Sequence, residues 1–132
     1  MTDIKAVILA AGKGTRMKSE TTPKVLHQIL GKTLLGYVLD NVKNFVSEEF
    51  VIVGHHAEEV EEFVKTNYTN AKTVLQSPQL GTGHAVSMVC PALENFDGLV
   101  IILCGDTPLV KEDTLKKFVE FHQSNNSDIT VM

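Results

Sequence analysis

Cysteine is scarce in this 132-residue chain: Cys90 and Cys104 are the only two, each in or beside an apolar run. So low a count excludes a disulfide framework and a thiolate zinc site, and predicts two buried thiols in a reducing compartment. Histidine does not supply a metal site either, because His55 and His56 stand as loop residues without further ligands nearby, and His27, His84 and His122 are isolated. No apolar run approaches the ~18 residues of a membrane-spanning helix. No low-complexity tract interrupts the chain, and the opening Met1-Thr2-Asp3-Ile4-Lys5 runs straight into an apolar segment without the form of a signal peptide. The expectation is one cytoplasmic domain, large enough for a real core and without a membrane partner.

The two commonest phosphate-loop patterns are missing as well. A dinucleotide fingerprint starting at Gly12 needs glycine at its sixth position, which here is Met17. No glycine followed by four spacer residues and then Gly-Lys-Ser/Thr occurs anywhere, so there is no P-loop. What is present is an apolar run, Ala6-Val7-Ile8-Leu9-Ala10, followed by Ala11-Gly12-Lys13-Gly14-Thr15-Arg16 and then Pro23-Lys24. The run suits one buried strand. The glycines let the backbone turn and a ligand approach, and Lys13, Arg16 and Lys24 gather positive charge there. Taken alone, Gly-x-Gly is an ordinary strand exit; with the cations it suits a polyphosphate.

The net charge of −4 is uneven. Residues 1–33 carry six bases against two acids (+4), and the remainder six against fourteen (−8). An acidic body argues against broad nucleic-acid binding, while one basic segment suits a small anionic ligand. Along the chain, apolar residues at helical spacing predict a helix from Leu34 to Val46, with Gly31 as the break before it. Phe50–Val53 is a second strand. A helix follows with Val60, Phe63 and Val64 inward and Glu58, Glu59, Glu61 and Glu62 as its solvated face. Thr73–Leu75 is a third strand. After it Gln76-Ser77-Pro78-Gln79-Leu80-Gly81 forms a loop into a helix from about Gly83 to Leu93, capped by Thr82. Side-chain amides there offer both a donor and an acceptor, as reading a pyrimidine edge requires. Leu99–Cys104 is the most apolar strand and is expected at the centre of the sheet. Gly105-Asp106 follows it, where a carboxylate is placed to hold Mg²⁺ or simply to close a turn. A helix with Leu115, Phe118 and Val119 inward leads to a fifth strand beginning at Asp128.

Alternating strands and helices predict an α/β fold: a doubly wound, mainly parallel Rossmann-like sheet in the order 3-2-1-4-5, helices on both faces. All three suspect segments follow strands, so all fall on the carboxyl edge, where ligands bind at the switch point.

Leu9-Ala10-Ala11-Gly12-Lys13-Gly14-Thr15-Arg16-Met17, with Pro23-Lys24-Val25-Leu26-His27, resembles the signature of the sugar-1-phosphate nucleotidyltransferase family. Gln76 to Ala85 and Gly105-Asp106-Thr107-Pro108-Leu109 are similar to the bacterial bifunctional N-acetylglucosamine-1-phosphate uridyltransferase/glucosamine-1-phosphate acetyltransferases within it. Thymidylyl- and cytidylyltransferase relatives share the first loop but tend to lack Leu80-Gly81-Thr82-Gly83-His84. This chain departs from the pattern by one extra residue between Arg16 and Pro23. The resemblance implies attack of a sugar 1-phosphate on UTP, giving UDP-N-acetylglucosamine for the cell envelope and pyrophosphate. It implies catalytic roles for Arg16 on pyrophosphate and Lys24 on the α-phosphate, and Asp106 as the Mg²⁺ ligand. It assigns nucleotide binding to Leu9, Ala10, Ala11, Gly12, Lys13, Gly14, Gln76, Gln79, Gly81, Thr82, Cys104 and Gly105. Because the sequence stops inside the expected fifth strand, residues 1–132 are expected to be the nucleotide-binding portion, without the family's sugar-binding half and acetyltransferase β-helix, and with little activity alone. An open sheet edge would then invite self-association. A relative using CTP, dTTP or GTP, and a non-catalytic nucleotide-binding module completed by a partner chain, are the alternatives.

Overall fold

The structure is a computed structural model that describes residues 2–12 and 22–132. Its spine is β1 (Ile4–Leu9), in which Ala6, Val7 and Ile8 are wholly buried. A strand packed on both faces has no polar side to present, which is why it reads as a continuous apolar run. β1 pairs in parallel with β4 (Glu48–Val53) on one side and β6 (Leu99–Cys104) on the other, and β5 (Ala71–Leu75) pairs with β4. The order β5-β4-β1-β6 is the predicted order of the first four strands.

Helix α1 (Leu34–Val42) buries Leu35, Val38, Leu39 and Val42 against Ala6, Ile8, Val51 and Val53. Each such buried side chain contributes about 1.5–3 kcal/mol relative to exposure. Thr33 caps it, its hydroxyl oxygen accepting from the Gly36 N–H at 2.9 Å. The helix ends four residues before the expected limit, because the chain must turn back into β4: Ser47 N–H already donates to Ile4 O at 2.8 Å. Phe45 and Val46 still pack on the core from the turn. Helices α2 (Ala57–Asn67) and α4 (Glu112–Ser124) add Val60, Val64 and Leu115 to the same face. α3 (Thr82–Ser87) covers the opposite face with Ala85, and Val89 follows it onto Val7, Phe50 and Ile52. Helices therefore lie on both faces, as expected.

Several expectations are corrected. Before α1 lies an unforeseen hairpin, β2 (Gln28–Ile29) with β3 (Lys32–Thr33). Leu30 and Gly31 both have positive φ (53° and 80°), the signature of a two-residue type I′ turn rather than a simple break. The helix expected through Leu93 stops at Ser87, and Cys90–Leu93 is a 3-10 turn, because Pro91 disfavours the α conformation of the residue before it. β6 is an edge strand among the described residues, with Val100 and Ile102 39% and 49% exposed. Residues 128–132 form no strand. Their side chains line a groove together with β6 and with Leu115, Phe118 and Val119 of α4. Both cysteines are exposed rather than buried, Cys104 ending β6 and Cys90 opening the 3-10 turn.

Candidate functional site

Backbone pairing continues past the strand ends at the carboxyl edge. Ala10 N–H donates to Ile52 O (2.9 Å), His55 N–H to Ala11 O (3.2 Å), Gln76 N–H to Val53 O (2.7 Å) and Gly105 N–H to Leu9 O (2.9 Å). These bonds fix the points at which the loops leave the sheet. Over them opens a cavity of about 450 Å³. Its walls are Leu9 at the end of β1 with Ala10, Ala11 and Gly12 beyond it; Gln76, Gln79, Gly81 and Thr82 after β5; Cys104 at the end of β6 with Asp106 beyond it; and Lys24. The structure thus brings together the described residues expected at a nucleotide site, with one exception. Gly105 is buried beneath the cavity, and a Cβ there would lie 3.0 Å from Leu9 O and 3.1 Å from Val25 Cγ1, so its part is to let the β1 and β6 exits pack. Lys13, Gly14 and Arg16 lie outside the described residues. Val25 and Ala85 also line the cavity. Small apolar side chains carry no chemical signature, so the sequence reading had no means of including them.

Lys24 opens a 3-10 turn (Lys24–Leu26) after Pro23. The next residue, Val25, is buried in the core at 7% exposure and anchors that turn. Asp106 sits in the turn after β6, which Thr107 tightens by donating its hydroxyl to Cys104 O at 2.9 Å. Lys24 Nζ and Asp106 Oδ2 are 2.6 Å apart, each side chain about a third exposed (32% each). A paired cation and carboxylate on one cavity wall match a metal–polyphosphate, which offers an anion to the one and a cation to the other. Among the described residues no group of three or more His, Cys, Asp or Glu is placed to hold a metal. A single carboxylate nevertheless fits Mg²⁺, which is held through one or two carboxylates plus substrate phosphates and water.

A Cβ at Gly12 would meet none of the described residues within 4 Å, so their packing does not require glycine there, and Gly12 lines the cavity. Gln76 is 4% exposed and its carboxamide is engaged inside its own loop. Nε2 lies 3.0 Å from Gly81 O and 2.9 Å from His84 Nδ1, so Gln76 does not offer the cavity the donor-and-acceptor pair expected of it. Gly81, at φ 106°, is the N-cap of α3; Thr82 is its first residue rather than its cap and faces the cavity. Glycine is required at 81 by that left-handed backbone. The Gln79 amide nitrogen lies over Gly54, where a Cβ would come within 2.6 Å of it. His56 is a loop histidine as expected, starting α2 in the left-handed region with Nδ1 3.1 Å from Glu59 Oε1.

At the amino edge of the sheet, a smaller cavity of about 300 Å³ is lined by Asp40, Lys43, Glu49, Asn67, Tyr68, Thr69 and Asn70. Glu49 is 2% exposed, and its Oε1 is buried without a hydrogen-bond partner. Burial pushes its carboxyl from the ordinary 4.5 up to about 7, against the smaller opposing pull of Lys43. Burial likewise raises the Tyr68 hydroxyl above its usual range, and the Glu49 charge adds to that. No helix among the described residues is long and apolar enough to cross a membrane.

Comparison with known proteins agrees with this geometry. Over 130 residues the chain is 49% identical to the bifunctional protein GlmU of Alkaliphilus oremlandii, a match covering 98% of this chain and 27% of that protein. Among solved structures, HddC from Yersinia pseudotuberculosis, complexed with GMP-PN, superposes with a TM-score of 0.74 at 28% identity, over 92% of this chain and 54% of HddC. The CTP:phosphocholine cytidylyltransferase LicC of Streptococcus pneumoniae gives a TM-score of 0.67 at 27% identity, over 84% of this chain and 50% of LicC. The model of the MobA-like NTP transferase domain matches residues 6–132. With a parallel sheet, a cavity at its carboxyl edge and that match over nearly its whole length, the chain belongs to the MobA-like NTP transferase domain family.

Proposed function

We propose that this chain forms the nucleotide-binding part of a cytoplasmic enzyme that transfers uridylyl from UTP to N-acetylglucosamine 1-phosphate and releases pyrophosphate. The observation that carries this reading is the Lys24–Asp106 pair, 2.6 Å apart on the wall of the cavity that Gln76, Gly81 and Thr82 also line. Joining two polyanions is chiefly a matter of positioning and charge neutralisation. A sugar phosphate oxygen is already ionised near neutrality, so no general base is required of the chain. Lys24 turns from Asp106 to the α-phosphate and offsets the charge that builds as the attacking oxygen closes on phosphorus. Asp106 would hold Mg²⁺, which would supply positive charge to the triphosphate. Gly12 leaves room for the nucleotide, and Gln76, Gly81 and Thr82 meet the base. Arg16 and Lys13, by the family resemblance, meet the departing pyrophosphate.

The fold alone does not choose the base, since the structural relatives include proteins described with GMP-PN and CTP. Support for UTP comes from the Gln76 to His84 segment. The reading is tested by titrating UTP into the chain by calorimetry, with and without Mg²⁺. Asp106→Asn is expected to abolish the Mg²⁺ enhancement while leaving metal-free binding intact or tighter, because a carboxylate facing the phosphates is gone. Lys24→Met is expected to weaken binding in both conditions by about tenfold or more, as loss of a charge-assisted contact does. Both variants should stay within about 1 kcal/mol of wild-type stability, because a pair this exposed contributes little to folding. Unchanged affinity and metal dependence in both variants would refute the assignment.

A further inference from the structure

We infer that His84 is a positioning residue that, through Gln76, sets the base preference of the cavity in favour of a ring N–H donor, uracil over cytosine; the inference rests on the nucleotide reading above. The orientation of the Gln76 carboxamide follows from its surroundings. Its terminal atom lies 3.0 Å from Gly81 O and 2.9 Å from His84 Nδ1. A carbonyl oxygen only accepts, so the amide atom facing Gly81 must be the nitrogen; a flipped amide would set two oxygens against each other. Gly81 O also accepts from the Ala85 N–H at 3.0 Å, which ties this carbonyl to the start of α3 and keeps it in place.

A carboxamide nitrogen has two hydrogens. One goes to Gly81 O and the other to His84 Nδ1, which must therefore be an acceptor, with the imidazole neutral and its proton on Nε2. Both donors are then engaged within the loop, and Oε1 is the polar atom that Gln76 has left for the cavity it lines. Uracil carries a hydrogen on N3 and can donate to that oxygen. Cytosine has a lone pair on N3 and meets it acceptor to acceptor. A carboxamide held by Gly81 alone keeps a second N–H that can turn to a cytosine; His84 removes that option.

Two measurements test this. The ¹⁵N shifts of the His84 ring in the free chain report its tautomer, and Nε2–H is expected; a proton on Nδ1 would overturn the inference. Calorimetry with UTP and with CTP, in Mg²⁺, then compares wild type with His84→Leu, which has no acceptor, and His84→Asn, whose Oδ1 takes the place of Nδ1. The expected result is a UTP:CTP affinity ratio that falls by about tenfold in the Leu variant, the worth of one buried hydrogen-bond mismatch, and recovers toward wild type in the Asn variant. A purely structural role would weaken both nucleotides alike and leave the ratio unchanged, which refutes the inference while sparing the nucleotide reading. A wild-type chain that binds neither nucleotide refutes both.

Discussion

Replacing Glu49 with Gln should stabilise this protein at neutral pH and leave it almost unaffected in mild acid. Glu49 sits on β4 at 2% exposure with Oε1 unpartnered, and burial raises its carboxyl from 4.5 to about 7. Between those values the folded chain holds a proton that the unfolded chain has released. Folding then takes up a proton, and stability falls as pH rises through the window before levelling off above about 7. At ~1.36 kcal/mol per pH unit, the displacement corresponds to about 3 kcal/mol at most. Solvent access through the adjoining cavity discounts part of it, so about 1–3 kcal/mol is expected. The neighbouring Glu48 moves the other way, held below its usual range by Lys72 and Lys5, so its contribution to stability is lost only as pH falls below about 4.5 and does not enter the window. Groups common to both proteins cancel in the difference. The assay is urea unfolding of wild type and Glu49→Gln from pH 4.5 to 8.5. The gap between the two should grow from near zero to its full value by pH 8. Parallel stability curves would refute the reasoning.

Two glycines should separate function from packing. Gly12→Ala adds a Cβ that meets none of the described residues and points to the cavity wall, so melting should hold within about 0.5 kcal/mol of wild type while UTP affinity drops, by calorimetry. Gly105→Ala presses a Cβ against Leu9 O and Val25, and thermal unfolding should show about 1–3 kcal/mol lost. Thr33→Ala removes the α1 cap, and unfolding should show about 1 kcal/mol lost with nucleotide affinity unchanged.

β1 and β4 were legible because burial on both faces leaves apolar runs such as Ala6-Val7-Ile8 and Phe50-Val51-Ile52 without a polar interval, and β6 because its run is apolar throughout. The same feature misled at β6, since apolarity does not say which strands flank it. The hairpin escaped notice because strands of two residues, Gln28–Ile29 and Lys32–Thr33, have no periodicity to detect. Placement of the site was legible for a topological reason: loops leaving parallel strands share an edge, so Gly12, Gln76 and Asp106 had to meet once the order was known. Two things were not legible. The mutual pairing of Lys24 and Asp106 depends on side-chain directions in two turns distant in sequence. The engagement of both Gln76 hydrogens depends on Gly81 at φ 106° turning its carbonyl back toward the amide, which residue identity alone does not specify.

The central claim, a uridine triphosphate site at the carboxyl edge of this sheet, is tested most directly by thermal unfolding of the chain with UTP, CTP, dTTP or GTP, with and without Mg²⁺. Ligand at ~100 times its Kd adds about 2.7 kcal/mol to the folded state, a rise of several degrees for a domain of this size. A Mg²⁺-dependent rise with UTP that exceeds the rise with CTP is the predicted result. No rise with any of the four nucleotides would contradict the account.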